Sequence, residues 1–257
     1  MAIIHESKQN SMKEKASQYF FIAMLFFSIP IIYFISFTQG FYLYGIFHIF
    51  PFLLGGIGMI FLNKHSMLKA GIEGKEAAAH ALRKLPDYYE VYEGIEVQRD
   101  SKTVRFDYVV VGDNGIFVVN VKNHNGTIEG REDASSWQQH KVGRKGGHYS
   151  NTIRNPIKRV RWQVHVLTDY LKEKQISAWV EGIVYFANPS VRVNVNTERT
   201  PVIDSPEALQ SYIDSYVPRK LLESHDLNTI RSIFIHDDRK HEEDKKELEN
   251  TVYARKN

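Results

Sequence analysis

The chain has 257 residues, and its 33 Lys and Arg against 30 Asp and Glu give a formal net charge of +3 at pH 7. Because this balance is only mildly basic, local clusters of charge are more informative about partners than the total. The sequence contains no cysteine, which excludes a disulfide framework and a cysteine-ligated zinc site.

Two apolar runs lie near the N-terminus, at residues 19–37 and 41–62, and neither contains Asp, Glu, Lys or Arg. Each run is long enough to cross about 30 Å of hydrocarbon as a helix. The first run exceeds the apolar core of about 7–15 residues that signal peptides carry, and no small-residue cleavage site follows it. We therefore predict a retained transmembrane hairpin, with a buried helical hairpin of a soluble protein as the alternative.

Lysine placement predicts the orientation of this hairpin. Lys8, Lys13 and Lys15 precede the first run, Lys64 and Lys69 follow the second, and the turn between the runs is uncharged. Since positive charge favours the cytoplasmic side, the N-terminal arm (residues 1–18) and everything after the hairpin are expected in the cytoplasm. The prediction is a multi-pass protein of the cell membrane.

The rest of the chain reads as one domain over residues 67–235, followed by a charged tail at 236–257. The patterns of apolar residues, Gly and Pro predict, in chain order, a helix at 67–85, strands at 88–97, 103–111 and 116–122, and a polar stretch at 123–151 with short extended pieces at 126–129. They then predict a helix from Asn155-Pro156, a strand at 179–187, and helices at 206–216 and 218–235. Asn114-Gly115 marks a hairpin turn between the second and third strands. This order predicts an α/β fold with one mixed sheet.

The third predicted strand carries polar side chains at its end. Because side chains alternate between the two faces of a strand, Asn120 and Lys122 project from the same face. Pairing through the hairpin turn places Asp107 of the second strand roughly opposite Asn120. We therefore expect a carboxylate, an amide and an amine to converge at one point of the sheet.

Several segments, in this order, resemble the nuclease-related domain (NERD) family, which belongs to the restriction-endonuclease-like, or PD-(D/E)xK, superfamily. The resemblance spans residues of about 70–187 and rests on Gly71-x-x-Gly74, residues 106–112, residues 115–123, Gly126 with Trp137-Gln138-Gln139, and Asn155-Pro156. It implies an α-β-β-β-α-β core and Mg²⁺-dependent cleavage of DNA or RNA phosphodiesters.

The resemblance also implies roles for individual residues. Asp107 takes the place of a metal-binding Asp, and Lys122 that of the Lys that positions or polarises the attacking water. Asn120 stands where the family usually has a metal-binding Glu, so a Mg²⁺ site on Asp107 and Asn120 would lack one negative charge. Lys75 stands in a usually acidic place after Gly74, which leaves Glu76 as the candidate acid there. Two other carboxylates, those of Glu96 and Glu129, are candidates to supply the missing charge.

A basic interval supports nucleic acid as a partner. No Asp or Glu occurs between Asp133 and Asp169, and a cluster of cations is what phosphate contact needs. The candidate contacts in this interval are Gln138, Lys141, Arg144, Lys145, Arg154, Lys158 and Arg161. Arg154, Lys158, Arg161 and His165 are predicted to share one helix face. Docking of this surface on anionic lipid remains the alternative.

Two functions stay open at this point. The first is a membrane-anchored, Mg²⁺-dependent nuclease-like protein that Asn120 weakens or inactivates. The second is a non-catalytic module that binds nucleic acid or a protein at the membrane. The oligomeric state is not predicted. Trp137, Trp162 and Trp179 are expected to pack within the domain rather than to stack on bases.

Overall fold

A computed structural model describes residues 1–5, 11–41, 45–99, 102–143, 145–218 and 221–235. The chain forms two compact units. One is Lys8–Glu73, and the other combines Met1–Ser7 with Gly74–Asn257. The predicted tail at 236–257 and the predicted contributions of Lys8 and Arg144 lie outside the described residues.

The first unit is built on two long helices. Helix α1 covers Ser11–Thr38, a short 3₁₀ turn covers Gly45–Ile49, and helix α2 covers Phe50–Arg83. By length and composition, Met12–Thr38 and Phe47–Arg83 could each cross a membrane. The helix predicted at 67–85 is the end of α2, because no Gly or Pro lies between Leu62 and Met67 to interrupt it.

Apolar side chains cover the outside of these two helices. Phe21 is 68% exposed and Leu25 is 66% exposed. Near the charged end of the unit, the Lys64 ammonium lies 5.6 Å from the centre of the Tyr19 ring, and His65 Nδ1 lies 2.8 Å from the carbonyl oxygen of Ala16. Contiguous exposed apolar surface of this kind is rare on soluble proteins and typical of surfaces that meet lipid or protein.

The second unit is an α/β domain. Its strands are β1 Ile3–His5, β2 Glu90–Glu93, β3 Glu96–Arg99, β4 Lys102–Arg105, β5 Tyr108–Gly112, β6 Gly115–Lys122, β7 Gly126–Arg131, β8 Ser136–Val142, β9 His148–Arg154, β10 Val180–Phe186, β11 Val191–Asn196 and β12 Val202–Ile203. Its helices are the end of α2, α3 Pro156–Glu173, α4 Pro206–Asp214 and α5 at residues 224–235.

The central sheet has six strands in the order β1-β2-β5-β6-β10-β12. Strands β2, β5 and β6 are antiparallel neighbours, whereas β6 pairs in parallel with β10. The sheet is therefore mixed, as predicted. The predicted α-β-β-β-α-β core corresponds, in chain order, to α2, β2, β5, β6, α3 and β10. Helix α3 packs on one face through Ile157, Val160 and Leu167, and α2 packs on the other through Ala78 and Leu82.

Three details of the predicted elements are wrong. The strands predicted at 88–97 and 103–111 each split in two, because Gly94 adopts a φ of +70° and β3 and β4 leave the central sheet as a separate hairpin. Within the predicted polar stretch at 123–151, the extended piece at 126–129 is confirmed as the start of β7, but β8 and β9 were not predicted; these strands form a second sheet in the order β11-β7-β8-β9. Strand β1 was not predicted, and it pairs in parallel with β2.

Gly126 begins β7 with a φ of +81°, and a Cβ at this position would collide with the carbonyl oxygen of His140. Left-handed backbone conformation alone costs an L-residue about 1–2 kcal/mol. We expect Gly126→Ala to lower the free energy of unfolding by at least about 2 kcal/mol, measured by chemical denaturation of the full chain in detergent. Two matched controls separate the causes. At Gly146 a Cβ would meet no atom, but the φ is +79°; at Gly147 a Cβ would meet no atom and the φ is not in the left-handed region. The loss of stability should therefore be largest for Gly126→Ala, smaller for Gly146→Ala and smallest for Gly147→Ala. Equal losses in the three variants would contradict the steric explanation.

Candidate active site

The β5–β6 hairpin brings Asp107 and Asn120 together. Its register pairs Tyr108 with Val119, so the next residues along the two strands, Asp107 and Asn120, face each other. The Asn120 Nδ2 group donates to Asp107 Oδ2 at 3.3 Å, and the backbone N–H of Val121 donates to the same oxygen at 3.1 Å. One oxygen of the Asp107 carboxylate is thus held by two neutral donors.

A lysine ammonium lies beside the other oxygen of Asp107. The Lys75 Nζ atom is 3.7 Å from Asp107 Oδ1, and the two side chains are only 17% and 25% exposed. The preceding residue, Gly74, allows α2 to approach the end of β6, since a Cβ there would lie 2.6 Å from the Cβ of Asn123. Glu76, which the sequence offered as a catalytic acid, is exposed on α2, so Lys75 rather than Glu76 reaches Asp107.

Gln163 of α3 completes the arrangement under Asn120. Its side chain is fully buried, its Oε1 accepts from Asn120 Nδ2 at 3.3 Å, and its Nε2 donates to the carbonyl oxygen of Arg105 at 2.9 Å. Gln163 was not among the residues predicted from the sequence. The signal was its place three residues after Val160 and four before Leu167, which puts an amide on the buried face of the helix.

Lys122 lies two residues beyond Asn120 and shares its face of the sheet. Burial lowers the pKa of the Lys122 ammonium; the nearby Asp107 carboxylate opposes that shift, and the Arg159 guanidinium adds to it. Burial, together with Lys122 and Lys141, likewise lowers the pKa of His124. In the described part of the chain, the Asp107 carboxylate therefore has two ammonium groups near it, that of Lys75 and the poorly solvated one of Lys122.

These residues do not form a suitable site for Mg²⁺, which prefers oxygen ligands and usually one or two carboxylates. In the described ranges, no group of three or more His, Asp or Glu side chains lies close enough to hold a metal ion. Of the rescuing acids considered, Glu96 pairs with Arg105 at 3.8 Å and Glu129 with His140 at 3.5 Å. The Asn120 Oδ1 atom is buried without a hydrogen-bond partner in the described structure. The neighbouring carboxylate, that of Asp107, is however already paired with the Lys75 ammonium.

Comparison with known proteins identifies the family. Residues 70–187 match the family described as "Nuclease-related domain" (NERD). This part of the chain is a nuclease-related domain. The chain is also 27% identical, over 158 residues, to an uncharacterized protein of Bacillus anthracis; the match covers 60% of this chain and 72% of the relative.

A solved structure, Can2 from Sulfobacillus thermosulfidooxidans in complex with cyclic tetra-adenylate, shows a distant likeness. The match covers 82% of this chain with 11% identity and a TM-score of 0.29. The matched part spans 56% of the Can2 chain.

The basic residues of the nuclease-related domain are dispersed over several elements. Lys158 is exposed on α3, Arg154 is exposed at the end of β9, and Lys145 is exposed in the turn before β9. The predicted helix face that began at Arg154 is wrong, because α3 begins at Pro156. Arg161 is occupied: it forms an ion pair with Glu132 and donates to Thr200 Oγ1 at 2.9 Å.

Strand β8 supplies the remaining predicted contacts. Lys141 is half-buried, and its charge acts on His124 beside the site. Gln138 lies exposed on the outer face of the second sheet, where its Nε2 approaches Thr152 Oγ1 at 3.4 Å. Lys141 therefore lies close enough to His124 to lower its pKa, whereas Gln138 is exposed beside Thr152.

The lowered pKa of His124 predicts how stability depends on pH. In the folded domain the pKa of His124 lies below its ordinary value of 6.5. As the pH falls through this range, the unfolded chain therefore takes up the proton before the folded domain does. Since the unfolded state then binds more protons, stability falls as the pH drops below about 6.5. We expect chemical denaturation at pH 7 and pH 5 to show a smaller acid-induced loss in His124→Gln than in the wild type. An equal loss in both would contradict the assignment, and His165→Gln, which changes an exposed histidine, is the matched control.

Proposed function

We propose that this protein binds nucleic acid at a membrane surface through its nuclease-related domain, and that the site holds phosphate with ammonium groups instead of cutting it with Mg²⁺. The observation that carries the proposal is the contact of Lys75 Nζ with Asp107 at 3.7 Å. A metal-dependent nuclease needs further acidic side chains beside Asp107. At the two corresponding positions this chain has the cation Lys75 and the neutral amide Asn120.

Charge balance supports phosphate as the ligand. The Asp107 carboxylate lies 3.7 Å from the Lys75 ammonium, and it is close enough to Lys122 to oppose the lowering of the pKa of that side chain. A buried ammonium is costly unless it is paired, so Lys122 would gain from a phosphate oxygen nearby. Lys141 and Arg159 add to the positive potential around the same point, which also speeds the approach of a polyanion.

Membrane anchoring is supported by the two long apolar helices and by strand β1. Residues before α1 (β1) and residues after α2 (β2) pair in one sheet. Both ends of the helical hairpin would then lie on the same side of a membrane, as the lysine distribution predicts for the cytoplasmic side. We accordingly propose a two-span anchor with the nuclease-related domain in the cytoplasm.

The rival function is a Mg²⁺-dependent nuclease of low activity, with Asp107 and the unpaired Oδ1 of Asn120 as metal ligands and Lys122 beside the phosphate. The free oxygen of Asn120 favours this alternative. The ammonium of Lys75 opposes it, because a dication placed at Asp107 would face a like charge at close range.

Neutralising Lys122 tests the proposed site. Because a hydrogen bond to a charged group contributes about 1.5–3 kcal/mol, Lys122→Gln should weaken oligonucleotide binding about tenfold or more. The measurement is fluorescence anisotropy of a labelled oligonucleotide with the full chain in detergent and EDTA. Lys172→Gln removes an exposed charge at the far end of α3 and is the matched control. Equal affinities of the two variants would contradict the site, and a wild type that binds no nucleic acid would refute the function.

A further inference from the structure

Trp162 is an exposed aromatic residue that the core does not use. The indole is 45% exposed, whereas Trp137 is 1% exposed in the core. The expectation that all three tryptophans pack inside the domain therefore holds for Trp137 and is wrong for Trp162 and for Trp179, which is 49% exposed. Trp162 lies in the middle of α3, among charged residues.

The neighbours of Trp162 on the helix surface are cationic. Lys158 lies four residues before it and Arg159 three residues before it, spacings that place side chains next to each other on a helix. Both are exposed. Arg161 is also close on the helix surface, but it is engaged with Glu132, so Lys158 and Arg159 are the cations considered beside the indole. An exposed aromatic ring between cations is the combination that single-stranded nucleic acids use: the ring stacks on a base and the cations contact phosphates.

This patch, made of Lys158, Arg159 and Trp162, continues into the site described above. The Arg159 guanidinium is close enough to influence the pKa of Lys122. Gln163, the residue after Trp162, contacts Asn120 directly. A strand whose phosphate lies at Lys122 would therefore pass along α3 beside Arg159 and Trp162.

We propose that Trp162 is a stacking platform for a base of single-stranded nucleic acid, with Lys158 and Arg159 holding the adjacent phosphates. The proposal rests on the proposed function and narrows its ligand. In a duplex the bases are already stacked and paired, so their faces are closed to an exposed side chain, whereas an unpaired base offers its face to any aromatic ring. The structure thus assigns a preference for single strands that does not depend on base identity.

The test uses the full chain in zwitterionic lipid nanodiscs, a labelled oligothymidine, and a duplex of the same length. Trp162→Ala should weaken oligothymidine binding about tenfold or more and leave duplex binding nearly unchanged, while Trp162→Phe keeps most of the affinity. Trp179→Ala removes an equally exposed indole, whose Nε1 lies 3.3 Å from Glu181 Oε2, and should bind like the wild type.

The contrary results are separable. Loss of oligothymidine and duplex binding to the same extent in Trp162→Ala, or no loss at all, overturns the stacking role while the wild type still binds. A wild type that binds neither ligand overturns the proposed function itself. Anionic lipid would be the ligand instead if two results were found together. Phosphatidylglycerol nanodiscs would shift the fluorescence emission of Trp162, measured as the difference between wild type and Trp162→Phe, to shorter wavelength, and Trp162→Ala would leave oligothymidine binding unchanged.

Discussion

Replacing Lys75 and Asn120 together with glutamate is expected to convert the site into one that binds Mg²⁺ and cleaves nucleic acid. The double variant removes the ammonium that lies 3.7 Å from Asp107 and places carboxylates at both positions. Three acidic side chains would then meet where the wild type has one, which is a donor set that suits Mg²⁺. Lys122 stays in place to contact the phosphate.

Two readouts follow this change. At a Mg²⁺ concentration about a hundredfold above the dissociation constant, the double variant should gain about 2.7 kcal/mol of stability, whereas the wild type should gain little. Mg²⁺-dependent cleavage of a labelled oligonucleotide should appear in the double variant and disappear when Asp107→Ala is added.

The single variants serve as controls. Asn120→Glu alone retains the Lys75 ammonium and is expected to bind Mg²⁺ more weakly than the double variant. Stabilisation by Mg²⁺ that is the same in the wild type and the double variant would show that Lys75 does not govern the metal site, and the account of the site would be wrong.

Neutralising three of the predicted cations, Lys141, Arg154 and Lys158, is expected to cause the second large effect. Of the predicted contacts, Arg154 and Lys158 are exposed and Lys141 influences the pKa of His124, whereas Arg161 is paired with Glu132. Each phosphate contact on a single strand releases about 0.7 of a counterion, so loss of three contacts should lower the salt dependence of binding by about 2 in slope and the affinity at low salt by about a hundredfold. The measurement is a salt titration of oligothymidine binding by the full chain with all three residues changed to Gln.

A control of equal charge distinguishes contacts from net charge. Lys84, Lys102 and Lys172 are exposed lysines elsewhere on the domain, and their replacement by Gln removes the same charge. If both triple variants lose affinity and slope equally, binding follows net charge alone and the assigned surface is not an interface.

The sequence predicted much of the geometry around Asp107 because local signals determined it. Asn114-Gly115 is a strong hairpin signal, and a tight turn fixes which residues face each other across the strands. Asn155 followed by proline predicted the start of α3, where the Asn155 side chain accepts from the backbone N–H of Ile157 at 2.9 Å.

Features that depend on distant parts of the chain were not predictable in this way. The contact of Lys75 with Asp107 requires α2 to approach β6 closely at Gly74, and nothing local to Lys75 indicates it. Strand β1 has three residues, which is too short for a period-2 pattern to show. Strands β8 and β9 of the second sheet were missed because their outward residues, such as Gln138 and Thr152, are polar and their inward residues are not consistently apolar.

The most direct measurement compares the wild-type chain, in detergent, with one single-stranded oligonucleotide in EDTA and in Mg²⁺. We predict the same affinity in both conditions and an intact oligonucleotide after prolonged incubation with Mg²⁺. Cleavage that requires Mg²⁺ and is abolished by Asp107→Ala would contradict the account, because the site would then hold the metal in spite of Lys75 and Asn120.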